Sequence, residues 1–347
     1  LITATEETGM DGANGLKPGL LNGDILLNLD SETEGELYVG CAGGIDFSAS
    51  FQYKEEAVPA GMAAFRLAIK GLKGGHSGMD INLGRGNSNK LLFRFLKTYA
   101  KDLGLRIANI LGGSLRNAIP RESFATVVLP AENAEKLQAA VKEAEAIFQA
   151  ELSAKEPTLS VSAEATEMPS FIIDSCSQFR ITNAILACPN GPVRMIDSMP
   201  GTVETSNNLA IVQSKDGKII VKSLLRSSVE TAKDALAQSI RAVFELAEAD
   251  EINFEGGYPG WKPNPDSAIL NEMQEIYEKM YGTRPAIMAI HAGLECGILG
   301  SKYPNWDMIS FGPTLCSPHS PGERVNIPSV VKFWDYLKET LKNIPMK

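Results

Sequence analysis

Apolar residues along this chain recur in two spacings. Short continuous or alternating apolar runs bounded by Gly, Pro or Asp predict strands, and apolar residues three and four apart predict helices. DILLNLD (24–30), AAFRLAIKGLKGG (63–75), RIANILGG (106–113), SFATVVLP (123–130), TLSVSAEATE (158–167) and WDMISFGPT (306–314) belong to the first kind. NKLLFRFLKTYAKDL (89–103), AENAEKLQAAVKEAEAIFQAELSAKE (131–156), SCSQFRITNAILACPN (175–190) and ETAKDALAQSIRAVFELAEA (230–249) belong to the second. AILNEMQEIYEKMYG (268–282) and IPSVVKFWDYLKETLKNI (327–344) also show the helical spacing, each with one apolar face. NNLAIVQSKDGKIIVKSLLRSS (207–228) predicts a hairpin turning at Asp216-Gly217. The opening LITATEE reads as an apolar strand that ends on two adjacent carboxylates, Glu6 and Glu7.

The order of these elements suggests an organisation. Strand, helix, strand, strand, helix runs from about residue 63 to 156, and the same order is expected to recur from TLSVSAEATE onward. The Gly- and Pro-rich EGGYPGWKPNPDS (255–267) marks a boundary, beyond which PAIMAIHAGLECGIL (285–299) reads as strand, Gly turn and helix. The expected layout is an α/β domain formed by residues 1–44 and 258–347. It is interrupted by an α+β insert, residues 45–257, of two βαββ-like halves.

Composition narrows the partners. With 347 residues and 44% hydrophobic content the chain can bury a large core. A net charge of -9 argues against a nucleic-acid partner, since phosphate neutralisation needs clustered Lys and Arg. No apolar run approaches the ~18 residues of a membrane span, and the first residues lack a secretory pattern, so a cytoplasmic protein acting on a small molecule or peptide is expected. The five cysteines, Cys41, Cys176, Cys188, Cys296 and Cys316, include no C-x-x-C pair and read as reduced thiols.

Candidate chemistry gathers at strand ends. Asp30 closes DILLNLD, at the carboxyl end where α/β sheets collect ligands. Each of the three histidines lies in a Gly- or Pro-flanked stretch: His76 in KGGHSGMD, His291 in AIHAGLECG and His319 in GPTLCSPHSPGERV. A lone histidine is more often structural, but His319, in a loop after an apolar strand, suits a metal ligand. Glu6-Glu7, Asp30 and His319 together supply the oxygen and nitrogen donors that zinc, manganese or cobalt accept. Alternation along a strand would point the two glutamates apart, one toward metal and one free to take a proton from bound water.

In TATEETGMDGA, LLNLDSETEG, CAGGIDF, LKGGHSGMDI, RNAIPRE, IHAGLECG and GPTLCSPHSP the chain resembles the bacterial aminoacyl-histidine, or cytosol non-specific, dipeptidases. These belong to the co-catalytic zinc metallopeptidases that include carnosinases. The resemblance covers essentially the whole chain with its motifs in the family's order. It implies a metallopeptidase catalytic domain with an inserted lid, two zinc ions (cobalt or manganese as alternatives), and hydrolysis of Xaa-His and other unblocked dipeptides. Glu6 is then the general base, Glu7 and His319 ligands of one zinc, Asp30 a ligand of the other, and His76 the lid histidine that stabilises the oxyanion. Asn87 or Asn89, Arg226, His291 and Glu295 are candidates for gripping the two ends of a dipeptide, beside plainer roles as caps, helix-end charge or strand surface. The lid is also a candidate homodimer surface.

In the family a His-x-Asp motif and a bridging Asp precede the Glu-Glu pair, whereas this sequence starts five residues before Glu6. The expectation is that the chain by itself binds zinc weakly and is inactive. Two other functions fit the same residues: an amidohydrolase of N-acyl amino acids, distinguished by its indifference to a free substrate amine, and a binding module without metal.

Overall fold

The computed structural model describes residues 1–318 and 320–344, apart from the side chains of Glu7 and Thr8. In chain order the first strands are β1 (Ile25–Asn28), β2 (Glu36–Cys41), β3 (Gly43–Gln52), β4 (Met62–Lys70), β5 (Arg106–Gly112) and β6 (Ser123–Pro130). β7 (Ser160–Ala165), β8 (Gly191–Met195), β9 (Val203–Lys215), β10 (Lys218–Ser227), β11 (Glu251–Tyr258), β12 (Ala286–Ile290) and β13 (Asp307–Ser310) follow. The longer helices are α1 (Ser88–Leu103), α2 (Ala134–Leu152), α3 (Ser175–Ala187), α4 (Glu230–Leu246), α5 (Ala268–Tyr281), α6 (Glu295–Lys302) and α7 (Ile327–Asn343).

Helix ends follow local chemistry. The side chains of Asn87, Asp174, Ser267 and Asn326 accept from backbone N–H groups of the first turns of α1, α3, α5 and α7, which satisfies donors a helix start leaves open. Gly104 and Gly282 close α1 and α5 in the left-handed conformation.

Among the described residues the smaller sheet has four strands in the order β1-β13-β2-β12, with β1 parallel to β13. Alternate residues of β13 point to opposite faces: Ile309 joins Leu270, Met273 and Tyr336 of α5 and α7, while Met308 meets Cys296 of α6. The larger sheet has nine strands, with the path β7-β4-β6-β5-β9-β10-β3-β11 and β8 on β9. It consists of two βαββαβ units. β4-α1-β5-β6-α2-β7 forms one, and β3-α3-β9-β10-α4-β11 forms the other, both with the spatial order second, third, first, fourth. The first unit is inserted between β3 and α3 of the second, and they join edge to edge where Gly112 pairs with Val212. All four helices share one core with this sheet, built around Phe47, Phe51, Phe93, Phe95 and Phe244.

Two local readings change. TLSVSAEATE does not open the second unit; as β7 it closes the first, pairing antiparallel with β4 through Ala163 and Leu67. The second unit takes the distant β3 as its first strand, a non-local pairing that element order cannot reveal. The opening LITATEE is not a strand either. Leu1 and Ile2 are 68% and 98% exposed and pair with no described strand, and Glu6–Gly9 forms one helical turn after Thr5 at φ 57°. An apolar run becomes a buried strand only where a neighbour satisfies its backbone. Successive backbone positions of a helical turn are rotated by about 100° instead of alternating across a pleat. The hairpin at Asp216-Gly217 forms as read, both residues having positive φ.

Candidate active site

A cleft of about 530 Å³ opens where the two sheets meet, and its wall includes Glu6, His76, Asn117, Arg226, Tyr258 and Gly293. Three residues nominated from sequence therefore converge: Glu6 from the turn after Thr5, His76 from the loop after β4, and Arg226 from β10.

His76 is held in one form. Its Nδ1 accepts from the N–H groups of Gly78 (3.2 Å) and Met79 (3.1 Å), which places the ring proton of the neutral imidazole on Nε2. Burial and then the Arg226 cation lower its pKa, against an opposing pull from Asp80. The ring is thus a neutral donor near neutral pH. Its loop is clamped at both ends by Glu156, fully buried, whose carboxylate oxygens accept from Lys73 N–H (2.8 Å) and Gly86 N–H (2.9 Å).

Arg226 is 5% exposed, and among the described residues no carboxylate forms an ion pair with it. Its Nε donates to Ser77 Oγ at 3.4 Å and its Nη1 to Tyr258 Oη at 2.9 Å. Three further N–H donors on the two terminal nitrogens remain for a ligand. A buried guanidinium without a counter-charge is costly unless an anion completes it.

His291 and Glu295 sit behind the wall; Ala292 and Gly293 between them line it. His291 Nε2 lies 2.7 Å from Ser206 Oγ, and burial, with the nearby Arg226, drives its pKa down to about 3. Glu295 begins α6 and accepts from Thr3 Oγ1 at 2.9 Å through Oε2, while its buried Oε1 has no hydrogen-bond partner among the described residues. Asn87 and Asn89 do not line the cleft. Asn87 caps α1 and donates to Asn190 and to the Leu209 carbonyl, and Asn89 bonds the Ala210 carbonyl and Ser123, so both amides are spent inside the insert.

Asp30 lies just past the carboxyl end of β1, with its N–H on Asn28 Oδ1. Of the other two proposed ligands, the Glu7 side chain and His319 lie outside the described residues. Among the described residues no three His, Cys, Asp or Glu side chains form a group that could hold a metal ion. The described donors by themselves therefore do not amount to a metal site. The buried thiols are inert: burial raises Cys41 to about 11 and Cys188 to about 12, and Cys296 rises as well.

Sequence reading passed over Tyr258 and Asn117. Tyr258 stands in a Gly- and Pro-rich stretch that reads as a linker. Asn117 stands inside RNAIPRE, a stretch that carries the family resemblance as a whole. An aromatic between Gly257 and Pro259 was the available signal for the first.

Residues 67–156 match the peptidase dimerisation domain of M20 peptidases, a segment that spans most of the first βαββαβ unit. The whole chain is 44% identical to the cytosol non-specific dipeptidase of Escherichia coli K12, covering 71% of that protein. The crystal structure of aminoacylhistidine dipeptidase from Vibrio alginolyticus superimposes with a TM-score of 0.97 at 48% identity, over 99% of this chain and 70% of that one. A succinyl-diaminopimelate desuccinylase from Sulfurovum is 25% identical over 126 residues, 36% of this chain and 34% of that protein. Helices long and apolar enough to cross a membrane are absent among the described residues. At this identity and coverage, the chain belongs to the cytosol non-specific dipeptidase family of M20 metallopeptidases.

Proposed function

We propose that the protein hydrolyses unblocked dipeptides, Xaa-His dipeptides such as carnosine among them, with the substrate held in the cleft between its two sheets. The observation that carries the reading is Arg226, a buried cation in the cleft wall with donors to spare and no carboxylate partner among the described residues. A guanidinium in that state fits the free carboxylate of a short peptide, which it can grip with two parallel hydrogen bonds. Names of the two full-length relatives agree, since both are dipeptidases.

Within this reading Glu6 takes a proton from the attacking water and returns it to the leaving amine. His76 offers its Nε2–H to the oxyanion. Glu295, behind the wall and with a buried Oε1 that has no partner among the described residues, is the candidate for the substrate's free amine. Membership of a metallopeptidase family implies a metal cofactor. The finer assignment, two zinc ions with cobalt or manganese as substitutes and Glu7, Asp30 and His319 among the ligands, rests on sequence resemblance. Such a metal, when bound, would supply a water that ionises near neutral pH. Residues 1–44 and 258–347 are assigned to the catalytic domain and 45–257 to the lid, whose dimerisation-type segment points to a second copy as partner; a cytosolic location follows the relative's name.

The carboxylate reading is tested by calorimetric binding of a dipeptide, its C-terminal amide and its N-acetyl derivative. The parent should favour the acid over the amide by about 10-fold or more, the worth of a charge-assisted pair, and Arg226→Lys should remove most of that preference. Equal preference in parent and variant would overturn the reading. Tight binding of the acetylated peptide would favour the N-acyl amidohydrolase instead.

A further inference from the structure

We infer that Tyr258 is the second member of the carboxylate receptor, a positioning residue that fixes the Arg226 fork and adds its own O–H toward the same ligand. The inference rests on the dipeptide reading above and goes beyond it by naming what orients the cation. Tyr258 Oη accepts from Arg226 Nη1 at 2.9 Å while the residue lines the same cleft, so the phenolic proton is left over for a ligand oxygen. A long arginine side chain has several rotatable bonds, and a fork held at Nη1 by Tyr258 and at Nε by Ser77 gives up that freedom before the ligand arrives.

The ring is firmly mounted. A Cβ on Gly44 would come within 2.6 Å of Tyr258 Oη and 2.7 Å of its ring carbons, and one on Gly293 within 3.1 Å of Cε2. The phenol therefore lies against bare backbone of β3 on one side and faces the segment before α6 on the other. Its own backbone is anchored as well. Lys233, buried in α4, donates to the Tyr258 carbonyl at 2.8 Å, and Glu230 accepts both from Lys233 (2.9 Å) and from Gly260 N–H (2.8 Å). The chain is thus tied on both sides of Pro259, at the point where β11 hands over to the other sheet.

The test is calorimetric binding of a dipeptide and its C-terminal amide to the parent, Tyr258→Phe, Gly44→Ala and Arg226→Lys. Tyr258→Phe should weaken the acid by about 10-fold, as loss of a charge-assisted hydrogen bond does, and leave the amide unchanged. Gly44→Ala, whose Cβ would meet the Tyr258 ring from the position paired with Arg226 across the β3–β10 ladder, should move the acid in the same direction. Equal weakening of acid and amide by Tyr258→Phe, or no weakening of either, would overturn the inference. If Arg226→Lys collapses the acid preference and Tyr258→Phe does not, Tyr258 alone loses its role. If Arg226→Lys also leaves the preference intact, the carboxylate reading falls and the Tyr258 inference falls with it.

Discussion

Glu156 offers the sharpest check on how the His76 loop is held. Its carboxylate is fully buried, has no cation in an ion pair among the described residues, and accepts two backbone hydrogen bonds that bracket residues 73–86. Each bond to a charged acceptor is worth about 1.5–3 kcal/mol, so Glu156→Ala forfeits about 3–6 kcal/mol gross. Relief of the buried carboxylate's desolvation returns part of this, leaving a net loss of about 2–4 kcal/mol. Glu156→Gln keeps one acceptor oxygen and turns an amide nitrogen toward the other N–H, so it should lose nearly as much despite its equal size. Urea denaturation gives the global value, and hydrogen exchange shows where it falls: the amides of Lys73 and Gly86 should lose protection, by about 30-fold if 2 kcal/mol of the loss is local. A loss below about 0.5 kcal/mol in Glu156→Ala, or unchanged exchange across 73–86, would refute the clamp.

Two further outcomes follow from the junction between the sheets. His291 titrates near 6.5 when unfolded but near 3 when folded, because burial disfavours its charged form. As pH falls below 6.5 the unfolded chain takes up the proton first, so stability is lost progressively toward pH 3, on the order of 4 kcal/mol in total. His291→Gln should flatten that part of the stability profile, measured by urea unfolding from pH 7 to 4; an unchanged slope would count against the burial argument. Gly78 has no room for a side chain, since a Cβ would lie 2.0 Å from the His291 carbonyl oxygen. Gly78→Ala should cost about 2 kcal/mol or more in unfolding free energy, and a cost under about 0.5 kcal/mol would show that the two backbones do not approach this closely.

Much of the secondary structure was legible locally. Periodicity over 89–103, 131–156 and 175–190, the plainer reading of Asn87 as a cap, and the Asp216-Gly217 turn are properties of a few neighbouring residues, and they appear as α1, α2, α3 and the β9-β10 hairpin. The strand read into LITATEE failed for the complementary reason, that an isolated strand cannot satisfy its own backbone. The misplaced start of the second βαββαβ unit failed because β3 and α3 are joined only through tertiary pairing.

The candidate site divides in the same way. Motif resemblance singled out Glu6, His76 and Arg226, and the residue types alone limited what each could do. Folding decided that these three meet in one cleft, that Asn87 and Asn89 spend their amides on structure, and that Tyr258, in an apparent linker, reaches Arg226. Local sequence fixes backbone geometry and side-chain chemistry. Burial, the lack of a carboxylate partner for Arg226 among the described residues and the tautomer of His76 depend on which distant segments pack together, and only the tertiary structure supplies those neighbours.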